Sequence, residues 1–300
     1  MIWRKPCMTL GTCPQRIAYT WGMAAPADSP HAHTWPRLAF IGGGHMAQAI
    51  VGGLLRGGMP AELITVVEPQ VAVRERLAAQ WQVASTPQPE ASLSQADMVV
   101  WAVKPQVFAD ASAPCRAWVA HAAHLSIMAG VRCRTISQAT GSSAVVRSMP
   151  NTPALIGQGM AALYALPEVS AVQQQWAQAV LAATGHTMWV SHEDDLDAVT
   201  ALSGSGPAYV FFFIEAMVQA GEQMGLSAQQ ARQLAQQTFA GAAALAAASP
   251  LSPAQLREQV TSKGGTTQAA LSSLQDAGVG PALVRAFLAA RNRARELGQG

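Results

Sequence analysis

Gly42, Gly44 and Ala47 stand at the spacing G-x-G-x-x-A, within the run Ile41-Gly42-Gly43-Gly44-His45-Met46-Ala47. That spacing suits a chain that must bend sharply and then lie against a pyrophosphate. Gly42 permits the tight turn, Gly44 lets the backbone come close, and Ala47 is small enough for the next helix to pack on the strand before it. His45 and Met46 complete the loop. Phosphates held there meet backbone N–H groups at a positive helix end. Glu68 follows Gly44 by 24 residues, at the end of the next strand pattern. A carboxylate there accepts hydrogen bonds from a ribose 2′-hydroxyl and repels a 2′-phosphate. Arg74 and Arg76 lie near enough in sequence to offset that repulsion. The residues therefore lean towards NAD without excluding NADP. Val103, Lys104 and Pro105 end a central strand, at the edge where open α/β sheets bind ligands. Lys104 either lines the cofactor site or is simply solvated.

Other chemistry-bearing residues have plainer readings. Thr266 and Thr267, after Gly264-Gly265, suit a helix N-cap as well as a ligand site. Ser203-Gly204-Ser205-Gly206-Pro207 suits a helix start. In His192-Glu193-Asp194-Asp195, Ser191 is expected to cap a helix whose first turn holds the acids. Glu215, in an apolar helix, is expected to be a partnered buried acid. The four cysteines form no C-x-x-C pair and no zinc-like spacing, so a reduced thiol set and no metal are expected. His31 and His33 lie in a proline-rich stretch where a metal contact would be incidental.

The elements that position these groups alternate. Strands are expected at Leu38–Ile41, Leu63–Val67, Met98–Val103, Leu125–Met128, Ala144–Met149 and Thr187–Val190. Helices come between, one of them from about Glu168 to Ala183. The pattern implies a doubly wound parallel sheet over residues 37–191. Beyond Ser191 the strands stop. Helices are expected over Pro207–Met224, Ser227–Ala248, Ser252–Thr261, from Thr266 or Thr267, and over Pro281–Leu297, making residues 192–300 an all-α domain. The helix after Ser227 is apolar on several faces, so oligomerisation through this domain is expected. Residues 1–36 show no periodicity and no secretory signal. Arg4, Lys5 and Arg16 faintly suggest a transit peptide, but a disordered extension is the simpler expectation. The net charge is +2 and 12% of residues are charged, which argues against a nucleic-acid footprint. No apolar run is expected to reach the roughly 20 residues that span a bilayer.

Three stretches are denser in motif than packing alone requires. They are Met149-Pro150-Asn151-Thr152-Pro153, the run Leu202 to Tyr209 (LSGSGPAY), and Thr261 to Thr267 (TSKGGTT). With IGGGHMAQAI at 41–50 and AVKPQ at 102–106, the chain from about Arg37 to Leu297 resembles the pyrroline-5-carboxylate reductase family. The resemblance implies a Rossmann-type domain followed by a helical dimerisation domain in a cytoplasmic homo-oligomer. It implies hydride transfer from NADPH or NADH to 1-pyrroline-5-carboxylate, giving L-proline, at a site shared between subunits. It assigns Asn151 to the cofactor, alongside the loop residues, Glu68 and Val103 to Pro105. It assigns Ser205, Ser262, Gly264, Gly265 and Thr266 to the substrate. Thr267 aligns with a threonine that hydrogen-bonds the substrate nitrogen. A threonine hydroxyl is too weak an acid to drive protonation, so its role is orientation and proton relay. Lys263 stands where the family commonly has proline, placing a cation near the carboxylate site. At Glu68-Pro69 the family often carries groups that hold the NADPH 2′-phosphate, so the cofactor preference stays open. Rival readings are a hydroxyacid-type dehydrogenase, which would want a lysine where SGSGPAY stands, and a non-catalytic dinucleotide-binding regulator.

Overall fold

The structure is a computed structural model that describes residues 35–299. The expectations for Arg4, Lys5, Arg16, Cys7, Cys13, His31 and His33 lie outside the described residues.

The first half is an eight-stranded sheet with helices between its strands. In chain order the elements are β1 (Leu38–Ile41), α1 (His45–Arg56), β2 (Ile64–Val67), α2 (Val71–Trp81), β3 (Ala84–Thr86), β4 (Met98–Trp101), α3 (Phe108–Ser112), α4 (Arg116–Val119), β5 (Ala123–Ser126), α5 (Cys133–Thr140), β6 (Val145–Met149), β7 (Gly159–Ala165), α6 (Ala171–Ala182) and β8 (Gly185–Trp189). The spatial order is β3-β2-β1-β4-β5-β6-β7-β8. All neighbours are parallel except β6 and β7. β1 and β4 are buried throughout, as continuous apolar runs covered on both faces must be. Alternation divides their side chains between two cores. Leu38, Phe40, Ile50 and Val100 pack on one face, and Ile41, Trp101, Phe108 and Ile136 on the other.

The second half is helical: α7 (Asp195–Val199), α8 (Gly206–Gln223), α9 (Ala228–Ala248), α10 (Pro253–Gln259), α11 (Thr266–Asp276) and α12 (Val279–Gln299). A π turn over Thr200–Gly204 joins α7 to α8 in one helical path. Contacts keep the chain from Trp35 onward in one unit.

Several expectations shift. The sheet has two further strands, β3 and β7, and the antiparallel β7 interrupts its parallel order. The fourth expected strand sits two residues earlier, at Ala123–Ser126. Ser191 does not cap α7, whose N-cap is Asp194. Asp195 does stand in the first turn of α7, as expected, while its neighbours also reach into the first domain. Glu193 accepts from the Cys133 N–H and from Arg147, while Asp194 and Asp197 pair with Arg132. The Arg147 guanidinium is buried there, and a buried charge left without a carboxylate is costly. Glu215 is exposed rather than buried, because α8 and α9 cover each other on one side only. α9 buries only Ala231 and Ala235. The path Asp195–Gln223 is also long and apolar enough, by length and composition, to cross a membrane, and almost none of it is buried within the chain. The apolar content was spread over a motif and a helix, so no single uninterrupted run displayed it.

Candidate active site

β1 ends at Ile41, and the chain turns at once. Gly42 holds φ +99, and a Cβ there would lie 2.7 Å from the Ala102 carbonyl oxygen. No side chain fits, so the turn requires glycine. Its N–H donates to Val67 O (2.8 Å), and Ala102 N–H donates to Ile41 O (2.9 Å), tying the loop to both neighbouring strands. Val103 packs against Gly42. Gly44 is exposed, forms the N-cap of α1 with no side-chain cap, and has open space where a Cβ would be. No acid occupies the first turn of α1. The first N–H groups of α1 are therefore free to meet an anion. His45 beside them is exposed, Met46 is half-buried, and Ala47 is buried against the sheet.

Glu68 is buried at the end of β2. Its carboxylate accepts the N–H of Gly43 at 2.8 Å and that of Gln70 at 2.9 Å. Arg74 donates to the carbonyls of Glu68 and Pro69, both at 2.8 Å. Gly43 was not among the expected site residues. A Cβ there would press on Val73 and Glu68, and the spacing rule gives that middle position no task. Lys104 is exposed and precedes a short 3-10 turn that starts at Pro105. Gly42, Val103 and Asn151 all follow the C-terminal ends of parallel strands, so they share one sheet edge.

Asn151 links that edge to the helical half. Its Nδ2 donates to Ser203 O (3.3 Å) and Ser203 Oγ (3.2 Å), and its Oδ1 accepts the Met160 N–H (2.9 Å). Ser203 lies in the π turn, closed by Ser205 N–H donating to Thr200 O at 2.8 Å. The stretch SGSGP is therefore the start of α8, as expected, with Ser205 as N-cap and Pro207 in the first turn, and it is also the end of a widened turn that continues α7 into α8. Ser205 is half-buried at its end. Pro207 marked the helix start in the sequence, and nothing there announced the π turn before it.

The loop of Ser262, Lys263, Gly264 and Gly265 precedes α11. Gly264 holds φ +74, and Gly265 is the N-cap, so neither Thr266 nor Thr267 caps the helix. A Cβ on Gly265 would fall on Ser262 Oγ. Gly264 N–H is held by Gln268 at 2.5 Å. Ser262, Lys263 and Thr266 are exposed, and Thr267 is half-buried. Among the described residues, no hydrogen bond joins this loop to residues 37–191. The glycine loop, Glu68, Val103 and Asn151 are thus brought to one edge, while the threonine loop stands apart in the single chain.

Two buried thiols complete the chemistry of this half. Burial pushes Cys115 up to about 11 and Cys133 up to about 12, so neither is a thiolate at neutral pH.

Comparison with known proteins agrees across the chain. Residues 193–297 match the family model described as pyrroline-5-carboxylate reductase dimerisation, and residues 37–130 match NADP oxidoreductase coenzyme F420-dependent. A pyrroline-5-carboxylate reductase from Pseudomonas aeruginosa is 42% identical over 266 residues, covering 88% of this chain and 97% of that protein. One from Haemophilus influenzae is 41% identical, covering 87% and 97%. The solved structure of a pyrroline-5-carboxylate reductase from Coxiella burnetii is similar, with TM-score 0.83 and 36% identity, covering 87% of this chain and 98% of that one. That of Plasmodium falciparum pyrroline carboxylate reductase with NADP bound has TM-score 0.78 and 26% identity, covering 88% and 98%.

Proposed function

The chain belongs to the pyrroline-5-carboxylate reductase family, and from that premise we propose that it reduces 1-pyrroline-5-carboxylate to L-proline with a hydride from NADH or NADPH. The observation that carries this reading is a juxtaposition at one sheet edge. An uncapped, glycine-lined helix N-terminus lies along the same edge as Asn151, which is bonded to the SGSGP turn of the helical half.

The residues present fit a dinucleotide. A side chain at Gly42 is impossible, and the space over Gly44 is open, as a pyrophosphate cradle needs. The free N–H groups at the start of α1 hold the phosphates. Glu68, pinned to Gly43, presents its remaining lone pairs to a ribose. Val103 to Pro105 line the cofactor along the strand edge. When bound, the dihydronicotinamide supplies the hydride.

The substrate ring is small and carries a carboxylate and an imine nitrogen that protonates readily. It needs orientation more than a strong acid. The Thr266 N–H and the Ser262 hydroxyl receive the carboxylate at the start of α11, while Gly264 and Gly265, whose own N–H groups are held by Gln268 and Ser262, shape the turn around it. Ser205 contributes a hydroxyl from the other side. Thr267 holds the ring nitrogen and relays its proton. Its hydroxyl is free for this, because Gly265 fills the cap position.

The separation of the threonine loop from residues 37–191 supports a site completed between subunits. The dimerisation model covers the helices whose apolar faces are open, including Phe211 and Phe212. We therefore read the exposed path Asp195–Gln223 as a subunit interface rather than a membrane span, and place the homo-oligomer in the cytoplasm.

The test is the initial rate of cofactor oxidation with 1-pyrroline-5-carboxylate, run with NADH and NADPH in parallel. Sedimentation of the same sample reads its assembly. Imine-dependent oxidation by a dimer or larger species is expected. Cofactor binding without turnover of any imine would instead favour a regulator.

A further inference from the structure

β6 sends alternate residues to one side, and the chain keeps that rhythm two residues past its end. Arg147, Met149 and Asn151 all meet the segment 193–204, the turn before α7 and the path that follows it. Arg147 Nη1 pairs with Glu193 at 3.0 Å. A Cβ on Gly204 would lie 2.4 Å from Met149 Cε, so Gly204 lets the helix settle over that side chain. Asn151 reaches Ser203.

The third contact answers a specific vacancy in the helix ladder. In a continuous α-helix the Ser203 carbonyl would accept from residue 207. Residue 207 is proline, which has no N–H, and its ring crowds that same carbonyl. The π turn relieves the crowding by widening the path, and the Asn151 side chain supplies the missing donor. Its other end is spent on Met160 of β7. Both ends of the amide are thus engaged within the protein. π turns recur at functional sites because they re-aim the side chains that follow. Here the next residue is Ser205.

We propose that Asn151 is a positioning residue that acts through Ser203. It holds the π turn open against the sheet edge and so fixes Ser205 beside the reacting ring, rather than binding the cofactor itself. This inference rests on the reductase reading above. The wild-type assay tests that reading independently, since a chain without imine-dependent turnover defeats it whatever Asn151 does.

Given turnover, Asn151→Ala is expected to lower kcat by about a hundredfold, the scale of a slightly misplaced reacting group. The Kd for NADPH, read by fluorescence without substrate, should stay within about twofold. Ser203→Ala in the Asn151→Ala background should add almost nothing, because the two share one contact. Pro207→Ala in that background restores an N–H for the Ser203 carbonyl. It should recover thermal stability while kcat stays low, since the path then closes into an ordinary helix. A Kd that rises in step with the loss of kcat would make Asn151 a cofactor ligand and overturn the inference. So would additive losses in the double variant, or recovery of kcat together with stability in the Pro207→Ala background.

Discussion

The Glu68 carboxylate accepts the Gly43 N–H at 2.8 Å, so the acid closing β2 is fastened to the phosphate loop opposite it. One side chain thereby shapes the loop and places negative charge near the adenosine ribose. Glu68→Gln keeps an oxygen for Gly43 and removes the charge. The ratio of Kd for NADPH to Kd for NADH is expected to fall about tenfold, worth about 1.4 kcal/mol. Fluorescence titration with each cofactor reads it. An unchanged ratio means that Glu68 shapes the loop and does not sense the 2′ position.

Thr267 sits one residue inside α11, beyond the Gly265 cap. Removing its hydroxyl takes no cap away, and alanine favours helix. Thr267→Ala should therefore lower kcat by about a hundredfold. Thermal midpoint and cofactor affinity should stay nearly constant. A fall in midpoint matching the fall in rate would return Thr267 to a structural role.

Arg147 is 3% exposed and its Nε has no partner, so Glu193 is the carboxylate that answers its charge. Glu193→Ala strands a buried guanidinium and is expected to cost about 3 kcal/mol in denaturant unfolding. Adding Arg147→Met to the same chain should recover most of that loss. If the second change deepens the loss, the pair is not the source of the effect.

His124 is fully buried on β5, beside Val99 of β4. The Trp101 indole N–H donates to its Nδ1 at 3.0 Å, so the ring proton belongs on Nε2, facing Val119 O at 3.2 Å. Burial lowers its pKa from 6.5 to about 4, assisted by His121 and opposed by the Val119 contact. Above pH 6.5 the ring is neutral whether folded or not. Between pH 6.5 and about 4 only the unfolded chain takes up the proton, so stability falls as pH falls. The slope is about 1.4 kcal/mol per pH unit and the total about 3 kcal/mol, flattening below pH 4. His124→Asn keeps an acceptor for Trp101 and does not titrate. Urea midpoints over this range should lose that share of the slope in the variant, and identical slopes in both proteins would refute the assignment.

The dinucleotide half was legible because β1, β2 and β4 are apolar on both faces and the glycine spacing has a mechanical meaning. β3 was not: Ala84-Ser85-Thr86 is a short edge strand with no buried side chain to announce it. β7 was not either. Gly159–Ala165 carries no β-branched residue, and its place comes from pairing with β6 and β8. Among site residues, Gly42, Gly44 and Val103 follow from local rules. Asn151 shares a motif with neighbours that never touch Ser203, and its partner lies 52 residues away. Two sequence facts point to that contact once the sheet is known: Pro207 lacks an N–H, and 147, 149 and 151 keep a period of two. The acids after Ser191 were half legible: Asp195 lies in the first turn of α7, but a helix dipole and a distant arginine ask for the same residues, so the pairs of Glu193 and Asp194 stayed hidden.

α9 hides only Ala231 and Ala235, and Phe212 on α8 is 68% exposed. A lone molecule carries this uncovered hydrocarbon as a standing debt to solubility, discharged when a second molecule arrives. At abundances well below the dissociation constant, working pairs then grow with the square of how much chain the cell makes. On the proposed reading that only the pair is active, halving synthesis would remove three quarters of the output rather than half, a steepness that no regulatory site has to supply.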